Sequence, residues 1–296
     1  MTDVVQTIVN SATIGCSYAL LAIGLVLVYR ASQSVNFGQG ELGTLTAFFV
    51  LFLIGRSVPL AVALVIAVVC GFAICAGIYL LVVRRAPSRS ESTTVLVGTA
   101  LFLGVNSICA VVWDTNSHAV PSLFPDGVHD FVAVGGVRLY YESLGNVGVL
   151  ALTVALLSLL LTRTSIGLQM RAVASNPGSA ALAGVSVGSV LVLSWGLAGV
   201  AGSLAGATTA PSSSLSTNMM FDVLLYGLAG ATLGGLNSLK GAVVGGIGVA
   251  VVADLIATYV PGVEQELKQA VAMALIIAVL VLRPAGLFGT VEARRV

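Results

Sequence analysis

The chain has 296 residues, of which 57% are hydrophobic and only 8% are charged, and its formal net charge is +1. Soluble domains carry roughly a quarter charged residues, so this sequence cannot cover a water-facing surface and a soluble globular domain is excluded. The apolar runs are continuous rather than alternating, which predicts an all-α, polytopic membrane protein rather than a β-barrel. A net charge this close to zero gives no nucleic-acid-binding surface.

Apolar runs along the chain predict about eight to nine transmembrane or re-entrant helices within a single domain, residues 1–296. No Lys or Arg precedes the first run, which predicts a retained first span rather than a cleaved signal peptide. Because Lys and Arg favour cytoplasmic loops, Arg30, the cluster 84–89 and the C-terminal arginines predict an outside N-terminus and a cytoplasmic C-terminus. The runs at 42–54 and 222–236 are short for a bilayer, so the number of full spans stays open.

Two polar segments are predicted to lie outside the bilayer, an external loop over 114–143 and a cytoplasmic loop over 163–188. A further loop is expected at 211–214, after a span over 189–210. The four cysteines all fall inside apolar runs, which predicts buried thiols rather than disulfides, and no Cys–His cluster indicates a metal site. They are Cys16, Cys70, Cys75 and Cys109.

The cytoplasmic loop contains the signals of a short helix. Asn176 is a good N-cap, Pro177 suits the first helical position, and Gly184 suits the C-cap. A helix of about two turns is not stable alone in water, so it must dock on another surface. That surface is either the rest of this chain or a cytoplasmic motor protein.

Two enzyme-like patterns fail on inspection. Residues 184–188 match G-x-S-x-G, but a nucleophile elbow needs a preceding strand and a downstream histidine, and both histidines lie upstream. Lys240 follows a Gly-rich run without the Gly-Lys-Ser/Thr order of a phosphate loop. We therefore expect that the chain is not an enzyme and holds no cofactor. If ATP powers its activity, the ATP must bind to a partner protein.

Polar groups beside the apolar runs are candidates for a solute path. Glu41, Asp222 and Asp254 are carboxylates of the kind that serve proton relays, but each lies near the end of a run, where capping is equally possible. Asn36 and Gln39 could line a path or cap the helix that begins near Glu41. Glycines four residues apart predict close helix packing, concentrated over 196–248. The expected path residues are Asn36, Gln39, Glu41, Gly227, Gly230, Gly234 and Gly245.

Four stretches of the chain resemble one known family. Residues 34–42 are similar to the "NFAHGE" segment of bacterial branched-chain amino-acid ABC transporter permeases, and 167–184 resemble the coupling loop of that family. Residues 233–246 resemble its "LGGxGSxxGAxxGG" run, and 283–289 its "RPxGLFG" ending. The resemblance implies the inverted-repeat fold of an ABC importer permease in the bacterial inner membrane.

This resemblance implies partners as well as a fold. They are a second homologous permease in a heterodimer, two cytoplasmic ATPases that bind ATP and Mg, an external substrate-binding protein, and the lipid bilayer. The implied ATPase-coupling residues, with Arg171 expected to pair with an acidic groove residue, are Arg171, Asn176, Pro177, Ala180, Leu182 and Gly184.

The sequence leaves the substrate open. Gln39 stands where the family often has His, and Asn237 stands where it usually has Gly. Branched-chain amino acids, urea, short amides and aromatic acids are all carried within the family. A stand-alone channel, a proton-coupled carrier and a purely structural subunit are the alternatives from other classes. The short segments 34–54 and 222–248 take comparable places in the two halves, which predicts that they meet at the midplane of an inverted repeat.

Overall fold

The computed structural model describes residues 2–85, 91–262, 267–283 and 285–289, and most of them are helical. Within these ranges, six helices are long and apolar enough to span a membrane, and three apolar helices are shorter. The predicted all-α polytopic architecture is confirmed. The helices are α1 Thr2–Ser32, α2 Gln39–Gly55, α3 Leu60–Leu81, α4 Glu91–Trp113, α5 Tyr141–Arg163, α6 Ser165–Ser175, α7 Pro177–Leu182, α8 Val187–Ser213, α9 Met219–Gly234, α10 Leu239–Tyr259 and α11 Lys268–Leu282.

Two sets of three helices repeat within the chain. The helices α1, α2 and α3 have 31, 17 and 22 residues, and α8, α9 and α10 have 27, 16 and 21. Each long first helix contacts the other set in the same way. Helix α1 packs on α10 and α9, and α8 packs on the corresponding helices α3 and α2. Each set also has a fourth helix in a corresponding place, since α4 packs on α2 and α11 packs on α9. The fold is therefore built from two halves related by an approximate two-fold axis.

The two halves run in opposite directions. The connection between α4 and α5 contacts the start of α1, where Gln6 Nε2 donates to the Arg138 carbonyl at 3.0 Å. The same connection contacts the end of α8, where the His118 N–H donates to the Leu215 carbonyl at 2.8 Å. Since α1 begins on the side where α8 ends, the repeat is inverted, the arrangement that places solute sites at the midplane in many transporters.

The short apolar helices α2 and α9 begin inside the molecule. The first turn of α2 lies against the first turn of α9, because a Cβ at Gly40 would be 3.1 Å from the Met220 carbonyl oxygen. Gln39 contacts Ala198, which is near the middle of α8. The run at 42–54 is short for a bilayer by sequence, and the structure shows a longer helix that takes in Gln39, Gly40 and Glu41.

Helix α1 is the centre of the bundle. Every residue from 15 to 28 is buried, and α5, α8, α9 and α10 all pack around it. By contrast, fewer than a third of the residues in the apolar windows of α3, α4 and α5 are buried, as expected of helices that face lipid. Cys16, Cys75 and Cys109 are buried and Cys70 is half-buried, and all four are free thiols, as predicted.

Glycine allows α9 and α10 to approach until their backbones touch. A Cβ at Gly230 would lie 2.6 Å from the Gly246 backbone, and one at Gly234 would lie 1.9 Å from the Gly241 carbonyl oxygen. This is the small-residue packing that membrane helices use in place of a hydrophobic driving force. Residues 285–289 then close the end of this pair, since the Leu287 N–H donates to the Leu233 carbonyl at 2.8 Å.

Two connections differ from the sequence-based expectation. The predicted loop at 211–214 is wrong for its first three residues, because α8 continues through Pro211 to Ser213. In the predicted external loop, Phe131–Val134 (β1) and Val137–Tyr140 (β2) pair as an antiparallel hairpin. Its turn uses Gly135 and Gly136 at φ values of +60° and +85°, which glycine adopts without strain.

Candidate coupling surface and solute path

Helix α6 forms a platform on the side of the molecule where α1 ends. The Thr164 hydroxyl caps it by accepting from the Gly167 N–H at 3.4 Å. Gly167, Met170 and Val173 lie on its buried face, which packs on α5, α8 and α1. A Cβ at Gly167 would be 2.1 Å from the Leu161 carbonyl oxygen, so the start of α6 lies directly on the end of α5.

Helix α7 follows with the capping that the sequence predicted. The Asn176 side chain accepts from the Ser179 N–H at 2.9 Å, and Pro177 takes the first helical position. Gly184 has a φ of +83°, and the Val185 N–H returns to the Ala180 carbonyl at 2.9 Å. These are the bonds of a Schellman ending, so both ends of this one-and-a-half-turn helix are fixed.

Ala180 and Leu182 of α7 point in opposite directions. Ala180 is 4% exposed and is buried against the rest of the protein. Leu182 is 92% exposed, the most exposed large apolar side chain among the described residues. Leu168 of α6 is 61% exposed as well, so the polar surface formed by α6 and α7 presents two exposed leucines.

Arg171 has an internal contact that the sequence did not predict. It lies on α6, and its guanidinium donates to the Leu161 carbonyl at the end of α5. The last carbonyls of a helix lack partners within that helix, so a cation there is favourable. Arg171 therefore ties the platform to the bundle, and its expected pairing with an acidic groove on an ATPase stays a prediction.

Gln39 fills a slot between α1 and α8. Its Nε2 donates to the Ala198 carbonyl at 2.7 Å, and its Oε1 accepts from Asn36 Nδ2 at 3.2 Å. Gly24 and Gly202 form the walls, since a Cβ on either would lie within 2.9 Å of Gln39 Nε2. The amide is fully buried and connects α1, α2 and α8 at the level where α2 begins.

Glu41 lies one half-turn further along α2 and is also fully buried. Asn106 Nδ2 donates to Glu41 Oε2 at 3.4 Å. Glu41 Oε1 has no hydrogen-bond partner among the described residues. The same Asn106 amide donates to the Thr217 carbonyl at 2.9 Å. Polar groups of α2, α4 and the 214–218 link therefore meet near this carboxyl group.

The glycines that the sequence assigned to the path lie in helix contacts. Gly227 packs on Tyr18 and Leu21 of α1, and Gly245 packs on Gly230 of α9. Gly234 packs on Gly241 across the turn between α9 and α10. Their burial follows from close packing, and their place along a path stays a prediction.

A second polar cluster, which the sequence did not reveal, joins four helices near the start of α1. Lys268 of α11 forms an ion pair with Asp254 of α10, and Ser11 of α1 donates to Asp254 Oδ2 at 2.5 Å. The Lys268 ammonium also lies 5.9 Å from the ring centre of Tyr226, which stacks on Tyr18. Asp254 is thus paired with a cation, and Asp222 accepts from Gln269 at 2.5 Å.

Residues 7–280 match the family described as branched-chain amino acid transport system, permease component. The chain belongs to this family. The match includes the inverted repeat, the α6–α7 platform and the buried polar groups of α2. The family is a transport permease component, so the chain is a multi-pass membrane protein of a transport system.

Named permeases are similar over almost the full chain. The high-affinity branched-chain amino acid transport system permease protein BraD of Pseudomonas aeruginosa is 29% identical, over 98% of this chain and 97% of its own length. The corresponding protein LivH of Escherichia coli K12 is 26% identical, with the same shares covered. Among solved structures, PsaBC from Streptococcus pneumoniae in complex with Fab covers 95% of this chain and 91% of its own, at 14% identity and a TM-score of 0.49.

Proposed function

We propose that this chain is one permease subunit of an ATP-driven importer for branched-chain amino acids. The transport systems named for BraD and LivH support this substrate class. A second, homologous permease completes the solute path, two cytoplasmic ATPases bind ATP and Mg, and an external binding protein delivers the solute. The N-terminus lies outside, because Arg30, Arg84 and Arg85 lie at the ends of helices on the opposite side.

The observation that carries the proposal is the exposed Leu182 on α7. The platform α6 is held by the Arg171 contact and by its buried face, so force applied to α7 reaches α5, α8 and α1 directly. Leu182 fits an apolar groove on an ATPase, and Asn176 and Gly184 keep the helix folded while it is loaded. Closure of the ATPases on ATP would then move the platform and the helices attached to it.

Replacing Leu182 with Glu is expected to remove ATPase binding while the permease still folds. A carboxylate in an apolar groove loses hydration without gaining a partner, and anchor residues of interfaces cost about 2–4 kcal/mol when lost. Co-purification of the ATPases with the permease should fall about 30-fold or more, and vesicle uptake should fall with it. The measurement is ATPase yield per permease after affinity purification.

Val128→Glu is the matched control, because Val128 is 78% exposed but lies in the connection on the opposite side of the molecule. It should leave ATPase binding unchanged. Equal ATPase recovery in the Leu182 and Val128 variants would contradict the coupling role. Solute uptake by vesicles that hold this permease without any ATPase would instead favour a channel or a proton-coupled carrier.

A further inference from the structure

Glu41 is a buried carboxyl group that forms no ion pair with any of the described residues. The ion pairs among the described residues join Asp114 to His118 and Asp254 to Lys268, and neither includes Glu41. Its Oε1 has no hydrogen-bond partner in that part of the chain. Burying an unpaired carboxylate is costly, so such a group is usually matched by a ligand or takes up a proton.

Thr44 adds a second unpartnered polar atom on the same face of α2. Its hydroxyl oxygen is buried and has no partner among the described residues. Thr46, two residues later, bonds back to the Leu42 carbonyl at 3.0 Å. A helical Thr can satisfy its hydroxyl in this local way, and Thr44 does not. Glu41 and Thr44 are three residues apart and therefore neighbours on the helix surface. Together they present two buried acceptor atoms, Glu41 Oε1 and Thr44 Oγ1, that have no partner among the described residues.

Within the described part of the chain, the hydrogen bond that Glu41 accepts comes from Asn106, and it is weak. The Asn106 side-chain amide has two hydrogens but faces three acceptors, at 2.9 Å for the Thr217 carbonyl, 3.2 Å for Asn218 Oδ1 and 3.4 Å for Glu41 Oε2. Two hydrogens cannot serve three acceptors well, and the Glu41 contact is the longest. A ligand with stronger donors can therefore replace Asn106 at Glu41 without breaking the other two bonds.

A solute could reach Glu41 from one face of the molecule. Asn106 is half-buried and Asn218 is exposed, so these amides lie between the carboxyl group and the surface of α4 and α9. Glu41 itself lies where the first turns of α2 and α9 meet, in the interior of the helical bundle. Amides exposed on a membrane-spanning surface face a water-filled path or a partner subunit rather than lipid.

We infer that Glu41 and Thr44 bind the ammonium group of an α-amino acid as it passes through the permease. An ammonium has three donors and a positive charge, which match the free acceptors and the missing cation. Urea and short amides donate hydrogen bonds but bring no charge, so the site selects amino acids over those solutes of the same family. This inference rests on the proposed transport function.

The test compares Glu41→Gln and Glu41→Asp in the complete transporter, reconstituted in vesicles with its ATPases and binding protein. L-leucine uptake should fall about 10- to 100-fold for Glu41→Gln, because a charge-assisted hydrogen bond becomes a neutral one. Glu41→Asp keeps the charge and should retain more uptake than Glu41→Gln.

A packing role predicts the reverse order, since Gln preserves the volume of Glu and Asp does not. Uptake that is equal in Glu41→Gln and wild type, or higher in Glu41→Gln than in Glu41→Asp, would overturn the inference. Asp126→Asn, at an exposed site in the α4–α5 connection, is the control for loss of a carboxylate. Absence of leucine uptake by the wild-type transporter would instead contradict the proposed function and would not depend on Glu41.

Discussion

Replacing Gly245 with Ala is expected to prevent α9 and α10 from packing and to remove most folded protein from the membrane. The added Cβ would lie 2.0 Å from the Gly230 carbonyl oxygen and 2.9 Å from the Gly234 nitrogen. These are backbone atoms, which cannot rotate away as a side chain can. Overpacking of this kind costs about 1–3 kcal/mol and occasionally more, and a contact as short as this one lies at the upper end.

Gly248→Ala is the control on the same helix. A Cβ there meets only the end of the Leu233 side chain, at 3.9 Å, which is ordinary contact. Ala is a better helix former than Gly by up to about 1 kcal/mol, so this variant should be as stable as the wild type or slightly more stable. Thermal unfolding of both variants in detergent measures the difference. Equal midpoints would mean that the α9–α10 contact is looser than described.

The close contact also explains two of the stretches that carry the family resemblance. Residues 233–246 supply the glycines at which the two helices touch. Residues 285–289 cap α9, and Gly286, at a φ of +78°, lies against the Gly235 backbone. A single packing unit therefore requires both stretches, although about forty residues of chain separate them.

Long apolar runs and local capping made much of the fold predictable from the sequence. The helices exist because a backbone in lipid must satisfy its own hydrogen bonds, which needs no tertiary information. Helix α7 was predicted with its ends because Asn176, Pro177 and Gly184 act through neighbouring backbone atoms. The correspondence of the two short segments was also predicted, since helix length can be counted along the chain.

Features that depend on distant partners were missed. Helix α6 is amphipathic over only eleven residues, and its stability comes from burial against α5 and α8. The ion pair of Asp254 with Lys268 joins separate helices, and no spacing in the sequence connects them. The extension of α8 through Pro211 was missed because Pro commonly ends a helix in water. Neighbouring helices in a membrane protein tolerate it.

Gln39→Glu is expected to destabilise the permease by more than about 3 kcal/mol, because it places a negative charge in a slot where the described residues supply no cation. The new carboxylate oxygen would face the Ala198 carbonyl, which now accepts from Gln39 Nε2 at 2.7 Å. Gly24 and Gly202 leave no room for the side chain to turn away. The bond from Asn36 to the other oxygen would remain, so the loss comes from one reversed contact and one buried charge.

The matched control is Gln169→Glu, which makes the same chemical change at an exposed position on α6. Surface changes of this type usually fall within about ±0.5 kcal/mol. The midpoint of thermal unfolding in detergent should therefore drop for the Gln39 variant and stay near the wild-type value for the Gln169 variant. If both variants have the same unfolding midpoint as the wild type, the slot must hold water or a proton that neutralises the carboxylate. Gln39 would then belong to a wet path rather than to the helix packing that joins α1, α2 and α8.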